Sequence, residues 1–424
     1  MVDCIYEIAN GVHLNYIETK KFKTNYVSFN FIAPLSEKTV HYNALLPLVL
    51  TRGTSKYPTQ MELSKRLQYL YSADVGASNN KYGSCQVFGL KANMLNNRFA
   101  NDIDINQETI KLICDMIFDP YLENGVFSKA YVKGEKQTLV DGIEAQINNK
   151  GSYAFDRMIS EMCKGEALSI PRLGRLENVK RITSKSLYGA YKRAIEQYPI
   201  EIYVVGDCDI ETFANELKSR FVDIKRNPID ISFEPIKENV ESVKQIVDYE
   251  KVKQGKLVLG FRTGYNYTEN KYHLIQLFNE IYGGSPTSKL FMNVREKMSL
   301  CYTCRSTVSQ VTGMMGVNSG IEFDKKEIAE KAIIDQLEDI KKGNITKEEF
   351  ESAKKSIING YKSIYDSQSA MANWVFYRSL CGISTTPLEE CEKIEKTTIA
   401  QIQEIANRIK LDTVYFLRGE DSND

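Results

Sequence analysis

The sequence predicts an α+β protein built as two repeated halves, and three observations predict it. Strand-like and helical patterns come in blocks rather than in strict alternation, as expected where helices and sheets form separate layers. The order of those patterns runs twice along the chain. Each half also closes alike, with a helix, an apolar strand, then glycine and an acid, at Tyr203-Val204-Val205-Gly206-Asp207 and at Tyr415-Phe416-Leu417-Arg418-Gly419-Glu420. Two domains of about 200 residues suit a chain of 424. The mixed-charge stretch from Lys225 to Lys253, with Pro228 and Pro235, is the natural linker. The expected division is 1–222, a linker at 223–250, and 251–424.

In the first half, Ile5 and Ile8 precede Asn10-Gly11, and Val12, Leu14 and Tyr16 follow it. Asn-Gly between alternating apolar residues is a strong hairpin signal. A strand is expected over Tyr26 to Ile32, then an apolar helix over Tyr42 to Leu50 stopped by Gly53. Pro47 removes a backbone donor and clashes with the preceding turn, at about 3 kcal/mol. This helix is therefore expected to start late, to kink at Pro47, or to keep Pro47 in its first turn. Thr59 and Glu62 form a capping box for a helix striped by Leu63, Leu67, Leu70 and Tyr71. Cys85 to Ala92 is a strand, Ile110 to Ile117 marks a helix ending before Pro120, Val126 to Asn148 is a longer helix, and Ile200 to Val205 is a strand.

The second half repeats the pattern. Lys256 to Phe261 is a strand, and Leu274, Leu277, Phe278 and Ile281 stripe a helix ended at Gly283-Gly284. Strands follow at Tyr302 to Val308 and Met314 to Ile321. Helices then cover Lys326 to Lys341 and a run from Thr346, with Glu349 completing its capping box, to about Asp366. Ile182-Thr183-Ser184 and Thr397-Thr398 open the last helix of each half.

Composition narrows the function. Lys and Arg total 55, Asp and Glu total 55, so no surplus of positive charge exists to neutralise a phosphate backbone, and a nucleic-acid partner is not expected. The longest nearly apolar run, Ala44 to Leu50, is far short of the roughly 20 residues of a membrane helix. No basic patch followed by an apolar run occurs over Met1 to Asn10. Nine cysteines at irregular spacing do not suggest a disulfide framework, and a cytoplasmic protein is expected.

Only three histidines occur, His13, His41 and His273, and no two are four residues apart. No H-x-x-E-H or H-E-x-x-H motif therefore exists. His13 alternates away from Val12 and Leu14 and is expected on the polar face of its strand. His273 shares a stripe with Leu277 and is expected at a helix edge. Cys301-Tyr302-Thr303-Cys304 is a lone C-x-x-C on a strand, where residues three apart face opposite sides, and two packed or half-exposed cysteines are expected. Gly283-Gly284 is too short to cradle a phosphate.

Gly53-Thr54, Glu135, the run Gly283-Gly284-Ser285-Pro286-Thr287-Ser288-Lys289-Leu290-Phe291, Val294-Arg295-Glu296-Lys297 and Leu300-Cys301-Tyr302 together resemble the insulinase/pitrilysin-type zinc peptidases, the group that includes mitochondrial processing peptidase. The resemblance spans nearly the whole chain and is strongest to bacterial members lacking the zinc motif, which are often encoded beside a metal-bearing sister. It implies two homologous domains, each a mostly antiparallel sheet with helices packed on it, in a clam-like arrangement. Counting back from Gly53-Thr54, it places Ala44, Pro47 and Leu48 where the family has its two histidines and glutamate. Glu135 matches the supporting glutamate and puts Gly142 at the third ligand position, with Asp141 and Glu144 close by. None of Ala44, Pro47 and Leu48 offers an imidazole or carboxylate, so this chain is expected to bind no metal by itself.

The resemblance also implies that Arg295 and Tyr302, seven apart as in the family, bind substrate and stabilise the reacting carbonyl. The expected function is that of a non-catalytic subunit presenting these two residues in trans to a zinc-bearing homologous partner for peptide cleavage. The alternative is a homodimeric peptide-binding or scaffold protein without a peptidase role.

Overall fold

The computed structural model describes residues 1–100, 103–309 and 311–419. Glu420, read from the sequence as the acidic end of the second half, lies outside them. Along the chain run β1 Cys4–Ala9, β2 Val12–Glu18, β3 Thr24–Pro34, α1 Val40–Leu50, α2 Gln60–Tyr69, β4 Asp74–Tyr82, β5 Cys85–Leu95, α3 Ile105–Phe118, the short pair β6 Leu122–Glu123 and β7 Val126–Phe127, α4 Lys129–Glu144, α5 Lys150–Met162, α6 Leu176–Lys180, α7 Ser184–Gln197, β8 Ile200–Gly206 and α8 Ile210–Phe221. They continue with β9 Lys244–Glu250, β10 Gly255–Arg262, α9 Tyr272–Asn279, β11 Cys301–Val308, β12 Met314–Ile321, α10 Lys326–Lys341, α11 Lys347–Ser363, α12 Gln368–Ser379, α13 Pro387–Lys396, α14 Ile399–Arg408 and β13 Lys410–Gly419.

Unit 1 is formed by Met1–Glu144, Ile170–Phe233 and Ser367–Tyr377. Its sheet has the order β1-β2-β8-β3-β5-β4. The hairpin at Asn10-Gly11 forms as expected, with Gly11 at φ +68°, a left-handed conformation that glycine adopts without steric penalty. β3 is a central strand, buried on both faces; Val27, Phe29 and Phe31 enter a core shared with Leu14, Leu45, Phe88, Ile113, Ile202 and Phe213. His13 is half-exposed and meets Glu201 of the neighbouring strand at 2.7 Å. That contact raises the pKa of the imidazole.

Unit 2 is formed by Ala145–Ser169, Glu234–Asp366 and the chain from Arg378 onward. Its sheet has the order β11-β12-β10-β13-β9. α5 lies across β10, β12 and β13, with Met158 and Met162 packed against Val258, Tyr415 and Leu417. Two glycines permit the close approach. A Cβ on Gly260 would fall within 2.7 Å of the Met162 sulfur, and one on Gly316 within 2.6 Å of the Phe155 ring.

The duplication expected from the sequence is present in the topology. β4, β5, β3, β8 and β2 have the order and direction of β11, β12, β10, β13 and β9. In both sheets one pair is parallel. β2 with β8 ends at Glu18 opposite Gly206, and β9 with β13 ends at Glu250 opposite Gly419. Each unit is thus a mostly antiparallel sheet with helices packed on it.

The compact units are discontinuous, unlike the contiguous halves 1–222 and 251–424 read from the sequence. α5, from the first half, belongs to unit 2, and most of α12, from the second half, belongs to unit 1. Gln368 anchors the exchanged segment in unit 1, donating to the Thr24 and Val205 carbonyls at 2.7 Å each, and Phe376 meets Tyr203 edge-on.

Other corrections are local. The expected linker at 223–250 contains β9, an edge strand whose side chains alternate between half-buried and exposed. β4 is likewise a polar edge strand that apolar pattern does not reveal. The long helix expected from Val126 starts at Lys129, because Asn124-Gly125, both at positive φ, turn β6 into β7. It ends at Glu144 and tightens into a short helical turn over Ala145–Asn148.

Candidate functional site

In unit 1, α1 carries Ala44, Pro47 and Leu48, which the resemblance sets against the family's metal motif. Its helix is unbroken from Val40, so Pro47 is its eighth residue rather than part of its first turn. The expectation of a late start is corrected. Burial outweighs the cost of the missing donor: Val40, Ala44, Leu45 and Leu46 are at most 3% exposed. A polar clamp adds to this. The fully buried Gln86 of β5 accepts from the Asn43 side chain at 3.0 Å and donates to the Val40 carbonyl at 3.1 Å and the Asn79 side chain at 3.1 Å. Gln86→Leu should lower stability by about 1–3 kcal/mol, since it strands those buried partners at similar side-chain volume. The midpoint of urea unfolding reads the change.

Ala44 and Pro47 are buried and Leu48 half-buried on this helix. A methyl, a pyrrolidine ring and an isobutyl group offer a metal no lone pair. α1 packs against α4, where Glu135 is 4% exposed and ion-paired with Arg52, just past the end of α1. The next residues make a tight turn: Gly53 accepts from the Tyr121 N–H, and the Thr54 N–H donates to the Tyr57 carbonyl at 2.9 Å. A Cβ on Gly53 would meet the Tyr57 oxygen at 3.0 Å. Farther along α4, Gly142, Asp141 and Glu144 are exposed, and Asp141 accepts from Gln137 at 2.7 Å. His41 is buried and His273 half-buried; burial lowers both pKa values, and neither Nδ1 has a hydrogen-bond partner. Among the described residues no group of three or more His, Cys, Asp or Glu side chains could hold a metal ion.

In unit 2, α9 widens over Glu280–Gly284 into the glycine pair. A Cβ on Gly283 would come within 2.8 Å of the Ser306 backbone nitrogen, so glycine lets this turn lie against β11. A second wide helical segment, Leu290–Lys297, follows. Leu290 and Val294 anchor it in the core, Asn293 donates to Gln336 at 2.6 Å, and the Met298 N–H closes an i→i+5 bond to the Asn293 carbonyl at 3.0 Å. Arg295 stands on the outer side of this segment. Its guanidinium lies 4.4 Å from the centre of the Phe291 ring and 3.3 Å from Glu296, with 37% of the side chain exposed. Stacking on an aromatic face restricts the fork while leaving donors free.

Tyr302 enters β11 at a bulge. The register pairs Cys301 with Ile321 and Thr303 with Gly320, leaving Tyr302 as the extra residue, and Tyr302 is 62% exposed. A bulge re-aims side chains at a sheet edge. It also corrects the expectation for the cysteines. Cys301 and Cys304 do not face opposite sides: both are buried and share a hydrogen bond, because the extra residue shifts the alternation. The bond lowers the pKa of the Cys301 thiol, helped by nearby Arg295, and with burial it raises that of Cys304. The resemblance singles out Arg295 and Tyr302 but says nothing of the bulge; the i, i+4 spacing of Phe291 and Arg295 could have flagged the stacking.

The family model for the peptidase M16 inactive domain matches residues 181–357. The chain is 33% identical over 411 residues to the probable inactive metalloprotease YmfF of Bacillus subtilis, covering 96% of each chain. It is 20% identical to the mitochondrial-processing peptidase subunit beta of Dictyostelium discoideum, over 86% of this chain and 76% of that one. Among solved structures, a conserved protein from Enterococcus faecalis superposes with a TM-score of 0.91 at 29% identity, covering 99% of both chains. These similarities and the duplicated sheets define an M16-type peptidase fold. The chain belongs to the M16 peptidase family, the insulinase/pitrilysin group, as a member that lacks the zinc motif.

Proposed function

We propose that this chain is the non-catalytic subunit of a cytoplasmic M16 peptidase and presents Arg295 and Tyr302 to substrate bound at a zinc-bearing homologous subunit. One observation carries the reading. The positions of the metal motif are filled by Ala44, Pro47, Leu48 and Gly142, while Arg295 and Tyr302 remain, one held over an aromatic ring and the other pushed outward by a bulge. The names of its relatives support both parts: one is a probable inactive metalloprotease and another is a subunit of a peptidase.

Zinc on the partner would polarise the scissile carbonyl and activate water. The part left to this chain is electrostatic. Arg295 offers a permanently charged fork of donors, and Tyr302 a phenolic O–H on a rigid ring. Aimed at the carbonyl oxygen, they stabilise the charge that develops there more than the ground state. Glu135, which supports the metal site in the family, acts here through its pair with Arg52 to hold α4 against the end of α1.

Mixed with a zinc-bearing M16 homologue from the same organism, the chain is expected to raise peptide hydrolysis above the sum of the two alone. Arg295→Ala and Tyr302→Phe should then each lower kcat by about 10²–10³-fold, with co-elution of the complex retained. Unchanged turnover in both variants overturns the reading and leaves the homodimeric peptide-binding or scaffold protein.

A further inference from the structure

A basic hollow lies in unit 2, on the sheet face that α5 covers only in part. α5 lies over β10, β12 and β13 but not over the edge strand β11. Thr303, Arg305 and Thr307 of β11 therefore line an open cavity of ≈ 520 Å³ bounded on its other side by the first turns of α5. A second hollow of ≈ 630 Å³ shares Asn149, Gly151 and Lys256 with the first and continues it toward the turn between β9 and β10.

Five cations line this double hollow: Lys150, Lys251, Lys253, Lys256 and Arg305. Among the described residues Asp156 is the one acid in the lining. The imbalance is local, since the whole chain has no net charge. The cations are also poorly compensated. Lys150 meets Glu250 at 3.6 Å, and Lys256 donates to the neutral amide oxygen of Gln254. The side chains of Lys251, Lys253 and Arg305 have no hydrogen bond or ion pair among the described residues. Burial lowers the pKa of the Lys256 ammonium, a strain that an anion in the hollow would relieve. Concave walls of one sign also concentrate the potential toward a ligand of the opposite sign.

The rim adds a second kind of recognition. β11 pairs with β12 on one side only, so its outer row of N–H and C=O groups has no strand partner among the described residues. An extended polypeptide can pair with such a row, and its alternate side chains then fall on one face. Along β11 that face carries Thr303, Arg305 and Thr307. A nucleic-acid strand fits less well, because among the described residues Phe155 is the one aromatic in the lining, too few for a stacking platform.

We infer that unit 2 binds an acidic polypeptide segment, extended along the free edge of β11, with its carboxylates in the hollow between Arg305, Lys256, Lys251 and Lys253. This deepens the peptide-handling role above, because it specifies the charge of the peptide. It is tested without any partner subunit, so its failure and that of the peptidase reading are distinguishable.

The test is fluorescence anisotropy on the full chain with a labelled peptide alternating Glu and Thr, its Gln-for-Glu counterpart and a single-stranded oligonucleotide of similar length. The acidic peptide should bind at least about tenfold more tightly than the Gln peptide and weaken steadily with added salt. Arg305→Glu and Lys253→Glu, at exposed positions where folding is not at stake, should each lower that affinity by about tenfold or more. Arg305→Lys should retain most of it. Equal affinity for the acidic and Gln peptides, wild-type affinity in both Glu variants, or tighter binding of the oligonucleotide would each overturn the inference.

Discussion

Arg262→Ala should cost the protein about 3–5 kcal/mol of stability, the largest loss expected from any single polar change described above. Arg262 sits at the end of β10 with 1% of its side chain exposed. It grips Glu166 with two donors, at 2.6 and 3.0 Å, and Asp412 of β13 with a third, at 3.1 Å. Asp412 is 4% exposed and also accepts from Thr413 at 2.7 Å. Removing the cation leaves a buried carboxylate without its counter-charge, which is far costlier than removing both partners. Urea unfolding should show a lower midpoint with the slope kept. Arg262→Met combined with Asp412→Leu should recover much of the loss. A single variant as stable as the wild type would show that the pair carries no net weight.

Gly89→Ala should be nearly as damaging, at about 2–5 kcal/mol. Gly89 lies in β5 opposite Asn30 of β3 and Ser78 of β4, at φ +154°. A Cβ there would be driven into the Phe29 carbonyl, and Phe29 belongs to the central strand of the unit 1 core. The obstacle is main chain, so no side chain can swing aside to relieve it. Gly76→Ala on β4 is the matched control, because nothing lies within 4 Å of its Cβ. That variant should change stability by less than about 0.5 kcal/mol, as substitutions clear of special features do. Equal effects at the two positions would refute the steric account.

What the sequence disclosed depended on whether the decisive physics was local. Asn10-Gly11 fixed the first hairpin, and the boxes at Thr59/Glu62 and Thr346/Glu349 fixed two helix starts, because each involves residues within a few positions of one another. Apart from the two-residue β6 and β7, the strands that escaped, β4 and β9, are both sheet edges. An edge strand buries one flank at most and is protected from aggregation by polar and charged side chains, so its apolar signal is weak. Pro47 misled because local cost was weighed without the burial and the Gln86 clamp that hold the turn upstream of it. Arg295 and Tyr302 are picked out by the resemblance, seven residues apart. The bulge that frees Tyr302 and turns Cys301 and Cys304 to one side exists only relative to β12, and a single strand does not show it.

The exchange of α5 and α12 sets an order on biosynthesis. The helix that roofs the second sheet leaves the ribosome before any strand of that sheet. The first sheet, though all its strands are made early, stays uncovered where Gln368 and Phe376 will lie until residue 377 has emerged. Unit 1 therefore closes late, once most of unit 2 has been made, and a nascent chain stalled between the two sheets holds one roof without its walls and one set of walls without its roof.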